Sequence, residues 1–120
     1  MFMLRHRSKA RLLPVNPARD EVQEIPCYRR IADLPETPDV AMVIVKKGLV
    51  ADTIDELGRI GCSFTIVNSA GYSETGAAGR RDQENLVKQA HQYGMRLMGP
   101  NCMGIVNLAG PIIMSWCATI

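Results

Sequence analysis

A chain of 120 residues has room for one domain and no second one of useful size. With 47% hydrophobic and 22% charged residues it is typical of a globular protein, and its formal net charge of +2 is too small to indicate nucleic acid or a membrane as partner. No apolar run approaches the roughly 20 residues that span a bilayer. Residues 1–10 form a basic leader that we expect to be disordered, a solvated start being favoured over a transit peptide. The domain then occupies residues 11–120.

The first elements predicted along the chain are short strands joined by an irregular segment. Residues 11–15 form a strand that Pro14 restricts to an edge or to sparse pairing. Residues 16–39 are rich in proline and form a surface connection, with one helical turn at 33–36. Residues 40–45 are apolar throughout, which is typical of a parallel strand covered on both faces.

Helices and strands then alternate. Val50, Ile54 and Leu57 recur at helical spacing before a glycine stop at Gly61, and Phe64–Val67 is the next strand. A second helix covers 80–93 and ends at Gly94; strands follow at 96–98 and, more briefly, at 105–106 and 112–114. The inward-facing residues of that helix are Leu86, Val87 and Ala90. This order predicts an α/β fold, a Rossmann-like open parallel sheet with helices on both faces.

Four cysteines are spread over the chain without the two-residue spacing of a zinc or redox motif. They are Cys27, Cys62, Cys102 and Cys117. Scattered thiols favour a reducing cytoplasm over a secreted scaffold, and we expect no metal site.

The loops that follow the strands are the candidate ligand site, because open α/β sheets bind ligands beyond the carboxyl ends of their strands. Small residues in these loops allow backbone amides to approach a ligand, and Arg19, Lys46 and Lys47 add positive charge. This pattern indicates a nucleotide-like anionic ligand. The alternative is that the glycines serve only tight turns and the lysines are a solvated helix start.

The sequence contains none of the general motifs for catalysis or nucleotide binding in complete form. Gly71 and Gly76 have Walker-like spacing, but Ala77 and Ala78 replace the required Lys-Ser/Thr pair. The chain has neither a Gly-x-Gly-x-x-Gly fingerprint nor a nucleophile elbow, and Glu74 is a lone loop carboxylate. We therefore assign no catalytic residue.

Four segments together resemble the CoA-binding domain of ADP-forming acetate–CoA ligases and related NDP-forming acyl-CoA synthetases, with the succinyl-CoA synthetase alpha subunit more distant. They are Pro14-Val15-Asn16-Pro17, Leu34-Pro35-Glu36 with Pro38-Asp39, Ser69-Ala70-Gly71-Tyr72-Ser73-Glu74, and Met95-Arg96-Leu97-Met98-Gly99-Pro100-Asn101-Cys102-Met103-Gly104.

The resemblance implies coenzyme A as the ligand. Asn16, Pro17 and Arg19 would lie near its adenosine and phosphate end, and Val45 and Lys46 would border the adenine. The pantetheine path and the thiol end would be lined by Ser69, Ala70, Gly71, Glu74, Pro100, Asn101 and Cys102. Cys102 also has an ordinary interpretation as a packing residue in a tight turn.

Several departures from the family pattern limit what the chain does alone. The first βα unit, with its Gly-rich phosphate loop, is apparently missing, and the family's phosphohistidine belongs to a following domain. Lys46-Lys47-Gly48 stands where the family has a proline and small residues, and Glu24 replaces a common glycine.

We therefore expect CoA binding as part of an acid–thiol ligase system, with ligase and ATP-grasp domains or subunits on another chain. Whether the chain itself belongs to an enzyme stays open. The alternatives are a stand-alone CoA or nucleotide module, a non-functional fragment and, less favoured, a nucleotide-dependent oxidoreductase.

Overall fold

The computed structural model describes residues 10–107, 109–110 and 112–115. The basic leader predicted over 1–10 lies outside these residues except for Ala10, and Cys117 lies outside them too. The chain divides into two compact units, one of Met1–Pro35 with Met103–Ile120 and one of Glu36–Cys102. In chain order, the elements are β1 (Glu21–Val22), β2 (Ile25–Pro26), β3 (Ala41–Val43), α1 (Lys47–Arg59), β4 (Phe64–Val67), α2 (Ala77–Gln92), β5 (Arg96–Met98), β6 (Gly104–Asn107) and β7 (Ile112–Ser115).

The unit Glu36–Cys102 is built on a parallel sheet of three strands in the order β3-β4-β5. Ala41 pairs with Thr65 and Phe64 pairs with Arg96, so β4 lies between the two shorter strands. The α/β class and the parallel Rossmann-like sheet are confirmed. The strand predicted over 40–45 is paired only over Ala41–Val43, and Ile44 is half exposed.

Both helices of this unit end as their glycines predict. After α1, Gly61 has a φ of 83° and the amide of Cys62 donates to Leu57 O at 3.0 Å. After α2, Gly94 has a φ of 66° and the amide of Met95 donates to Ala90 O at 3.0 Å. Each pattern is a Schellman motif, in which a left-handed glycine reverses the chain. The residue after each glycine, Cys62 or Met95, is buried and leads into the next strand.

The helix α2 begins at Ala77, three residues before the predicted start. Arg80 N donates to Gly76 O at 3.0 Å, so the first turn is already formed over small residues that carry no helix-start signal. Leu86 and Ala90 are buried as predicted, and Val87 is intermediate. The two helices pack against each other, with Gln89 Nε2 donating to Ala51 O at 2.9 Å.

The described core belongs to this unit. All the residues that are buried in the described part of the chain lie between Val43 and Met95. Val50, Ile54 and Leu57 come from one face of α1, as their spacing predicts, and Ile66 and Val67 come from β4. The central strand is therefore covered, and its carboxyl end is held in place for the loop that follows it.

The other unit corrects three predictions. The strand predicted over 11–15 is a single parallel bridge between Val15 and Tyr28, because Pro14 has no N–H and offers only its carbonyl. The helical turn expected at 33–36 is a 3₁₀ turn over Ile31–Asp33. β6 and β7 confirm the last two strand positions, but they pair with each other in an antiparallel ladder and form a separate sheet.

Glu24 occupies a backbone conformation that favours glycine. It follows Gln23 in the two-residue turn between β1 and β2. The φ angle is 50° at Gln23 and 65° at Glu24. Two positive φ angles in such a loop are characteristic of a type I′ turn, in which glycine is preferred. A non-glycine residue there costs about 1 to 2 kcal/mol, part of which is offset by the entropy that glycine loses on folding.

We predict that Glu24→Gly raises the free energy of unfolding by about 0.5 to 1 kcal/mol. Urea unfolding of the two proteins measures the difference. Glu21→Gly in β1 is the control and should destabilise, because that residue gains nothing from a left-handed conformation. An unchanged or lower stability for Glu24→Gly would show that this turn is not strained.

Candidate functional site

Ser69 connects the loops that follow the three parallel strands. Its hydroxyl donates to Val45 O at 2.5 Å, and its carbonyl accepts from Asn101 N at 2.9 Å. The neighbouring amide of Asn68 donates to Val43 O at 3.0 Å. The loops after β3, β4 and β5 thus meet at one edge of the sheet, where the sequence predicts a ligand site.

The loop after β5 is fitted closely against β4. Cys102 N donates to Val67 O at 3.2 Å, and a Cβ on Gly99 would lie 2.4 Å from the same oxygen. Gly99 has a φ of 93°, so any other residue would be both strained and in collision. Asn101 has a φ of 55° and is exposed, while Cys102 and Pro100 are partly exposed. The loop therefore presents Asn101 outward on a tightly fixed backbone.

Glu74 holds the loop after β4 from within. Its carboxylate accepts a short hydrogen bond from Gly71 N, and this bond, with further backbone amides, lowers the pKa of Glu74 below its usual value. A carboxylate with a lowered pKa is a weak general base. Glu74 therefore fixes the turn at Gly71, where φ is 102°, and is poorly suited to act as a general base.

The two lysines at the start of α1 have different environments. Lys47 Nζ lies 2.6 Å from Asp82 Oδ2 and 5.0 Å from the centre of the Tyr72 ring. In the described part of the chain the side chain of Lys46 has no hydrogen bond or ion pair. It stands at the N-cap of α1, whose first turn has no acidic residue and no side-chain cap. Lys46 is thus the cation that is available to an anionic ligand.

Sequence reasoning passed over four residues of this edge. Tyr72 is buried, and its burial, together with nearby Asp82 and Glu74, raises the pKa of its hydroxyl. Ile44 and Leu49 are large apolar side chains that are 50% and 54% exposed on either side of Val45 and Lys46. Asn68 carries a buried Oδ1 with no hydrogen-bond partner in the described structure. The exposure of Ile44 and Leu49 has no signal in the sequence, where Ile44 continues the apolar run 40–45 and Leu49 lies beside Val50.

Asn16, Pro17 and Arg19 belong to the other unit, and there they form an ordered turn. Asn16 Oδ1 accepts from Ala18 N at 2.9 Å. Arg29 donates to Pro17 O at 2.6 Å and forms an ion pair with Asp20. The exposed side chain of Arg19 is left on the outside of this turn. Arg29 therefore holds the turn at 16–20 in place. The sequence does not indicate this role, because Arg29 lies about ten residues after the turn.

Comparison with known proteins decides the family. Residues 1–107 match the family described as the CoA binding domain. The chain belongs to this family of CoA-binding domains. It is 38% identical over 104 residues to the alpha subunit of the ADP-forming acetate–CoA ligase II of Pyrococcus furiosus, a match that spans 87% of this chain and 23% of that protein.

Two solved structures share the fold of this CoA-binding domain. The crystal structure of PH0766 from Pyrococcus horikoshii superposes with a TM-score of 0.89 and 36% identity, over 96% of this chain and 26% of that one. The apo form of the dinucleotide forming acetyl-coenzyme A synthetase 1 from Ca. Korarchaeum cryptofilum superposes with a TM-score of 0.80 and 37% identity, over 85% of this chain and 22% of that one. The chain thus spans about a quarter of the length of these relatives.

The resemblance to ADP-forming acyl-CoA synthetases and the expectation of coenzyme A as ligand are confirmed by these matches. No helix in the described ranges is long and apolar enough to cross a membrane. The roles of the individual site residues remain predictions.

Proposed function

We propose that this chain is the CoA-binding part of an NDP-forming acyl-CoA synthetase, with ligase and ATP-grasp domains or subunits supplying the remaining chemistry. The whole system would convert acyl-CoA, NDP and phosphate to carboxylate, CoA and NTP through a phosphohistidine. The chain would contribute the binding of CoA and no catalytic residue of its own. Its scattered thiols, of which Cys27 and Cys62 are free, suit the cytoplasm.

The observation that carries the proposal is the junction of three loops at Ser69. The hydroxyl and the main-chain carbonyl of Ser69 fix the spacing between Val45 and Asn101, which lie in the loops after the outer strands β3 and β5. An extended ligand laid across this edge would meet each loop in turn. We assign Val45 and Lys46 to the adenine. The pantetheine and thiol are assigned to Ser69, Ala70, Gly71, Glu74, Pro100, Asn101 and Cys102.

The adenine assignment has support from two further side chains. Ile44 and Leu49 are 50% and 54% exposed and flank Val45 and Lys46 in the sequence, so they offer apolar surface to a ligand there. The face of an adenine ring would cover such a surface, and Lys46, which would border the adenine, would direct its ammonium toward a phosphate at the same end of CoA. Asn16, Pro17 and Arg19 keep the role that the family resemblance implies, near the adenosine and phosphate end of CoA.

Isothermal titration of the chain with CoA tests the proposal, with NAD as the control ligand and circular dichroism to establish folding. We expect CoA to bind in the micromolar range and NAD not to bind. Absence of CoA binding to the folded chain would contradict the proposal and favour a non-functional fragment. Binding of NAD as tight as that of CoA would favour a general nucleotide module.

A further inference from the structure

We infer that Lys47 is a positioning residue and does not itself bind the ligand, an inference that rests on the proposed CoA site. With Tyr72 and Asp82 it forms what we call the Lys47 latch. The latch ties the start of α1 to α2 across the loop that follows β4. That loop carries four of the proposed ligand residues, so the latch sets the shape of the site without touching CoA.

The path of the Lys47 side chain supports the latch. Its Cδ lies 3.0 Å from the point that a Cβ on Gly71 would occupy, so the stem crosses the loop at that glycine. The ammonium then reaches Asp82 in the first turns of α2, at 2.6 Å, and lies over the ring of Tyr72 at 5.0 Å. The loop is thereby enclosed between a side chain of one helix and the surface of the other.

The contacts differ in strength. The side chains of Lys47 and Asp82 are 40% and 50% exposed. An ion pair as exposed as this contributes little to the free energy of folding. Tyr72 as a whole residue is only 3% exposed, and a cation over a buried ring is held more firmly than one in water. The two contacts share one ammonium, so losing either partner weakens the other. The result is a local restraint on the loop and not a major contribution to the stability of the unit.

The charges around Lys47 argue against a direct contact with ligand phosphate. An anion that approached its ammonium would compete with Asp82 and would be repelled by that carboxylate and by the nearby carboxylate of Glu74. Lys46 has no such competitor and stands at the N-cap of α1. Of the two adjacent cations, one is therefore committed to the protein and the other is open to the ligand.

The test is the CoA affinity of Lys47→Met and Asp82→Asn, measured by calorimetry. We expect each variant to bind CoA about three- to tenfold more weakly, and the double variant to lose no more than either single one. Lys47→Arg should restore most of the affinity, because a guanidinium keeps both contacts. Lys88→Met and Glu84→Gln are matched controls on exposed positions of α2 and should bind like the unchanged chain.

The sign of the Asp82→Asn effect separates the two roles of Lys47. If Lys47 bound the ligand directly, removal of Asp82 would free it and tighten binding, which would overturn the inference. A second readout needs no ligand: amide exchange at Gly71 and Thr75 should be several-fold faster in both variants. Unchanged exchange at these amides would overturn the latch, whereas failure of the unchanged chain to bind CoA would count against the proposed function alone.

Discussion

Replacing Gly79 with alanine is expected to lower the free energy of unfolding by about 2 to 3 kcal/mol. Gly79 is buried in the first turn of α2, and a Cβ there would lie 1.9 Å from Tyr72 O and 2.3 Å from Thr75 Oγ1. The first of these atoms is backbone and cannot turn aside. That carbonyl also accepts from Thr75 N at 2.9 Å, so the displacement would pass into the loop that holds the proposed site.

Gly48→Ala is the matched control for this effect. Gly48 lies in the first turn of α1 with nothing within 4 Å of a Cβ, so alanine there should stabilise the helix by up to about 1 kcal/mol. Chemical denaturation measures both variants. We further expect Gly79→Ala to weaken CoA binding at least about tenfold and Gly48→Ala to leave it unchanged. Equal stabilities for the two variants would contradict the close contact between α2 and the loop.

The second large effect is expected on ligand affinity. Lys46→Ala should weaken CoA binding about tenfold, because a charge-assisted hydrogen bond to phosphate contributes about 1.5 to 3 kcal/mol and exposure reduces it. The loss should shrink as salt is added. Stability should move the other way, by a few tenths of a kcal/mol, since Lys46 places positive charge at the positive end of α1.

Lys88→Ala is the control for Lys46→Ala, because Lys88 is an exposed lysine of α2 away from the loops. It should change neither affinity nor its salt dependence. Calorimetry at two salt concentrations measures both variants. Equal affinities for the two would remove Lys46 from the site, and a destabilised Lys46→Ala would show that its role is structural.

The framework of the larger unit could be predicted because its signals are local. The run 40–45 is apolar throughout, and β4 is apolar except for Thr65. Gly61 and Gly94 mark by residue type the points at which the chain reverses after each helix. The same locality explains the failures. Pro14 removes a donor that the strand at 11–15 needs, and the start of α2 is formed by small residues without a capping side chain. β6 and β7 are neighbours in sequence and pair with each other. Periodicity places two short strands there, but it does not specify whether they pair with each other or join the parallel sheet.

The sequence predicts that the site lies at the carboxyl edge of the sheet and which loops form it. It does not predict the hydrogen bonds and ion pairs that join these loops. Ser69 was singled out as a lining residue, whereas its hydroxyl and carbonyl join the loops on both sides. In the sequence, Lys46 and Lys47 are equivalent candidates for binding an anion. In the structure, Lys47 is paired with Asp82, which lies 35 positions later in the chain. Contacts between residues so far apart in sequence arise from packing of the helices, and a single sequence does not show them.

The most direct test of the account is to map the amide shifts of the isotope-labelled chain as CoA is added. We predict that the largest shifts fall on Lys46, on Ser69 and the residues up to Glu74, and on Asn101 and Cys102. The amides of Gly61 and Gly94, at the opposite ends of the helices, should stay fixed. Shifts centred on those two glycines, with the Ser69 loop unaffected, would contradict the placement of CoA at the carboxyl edge of the sheet.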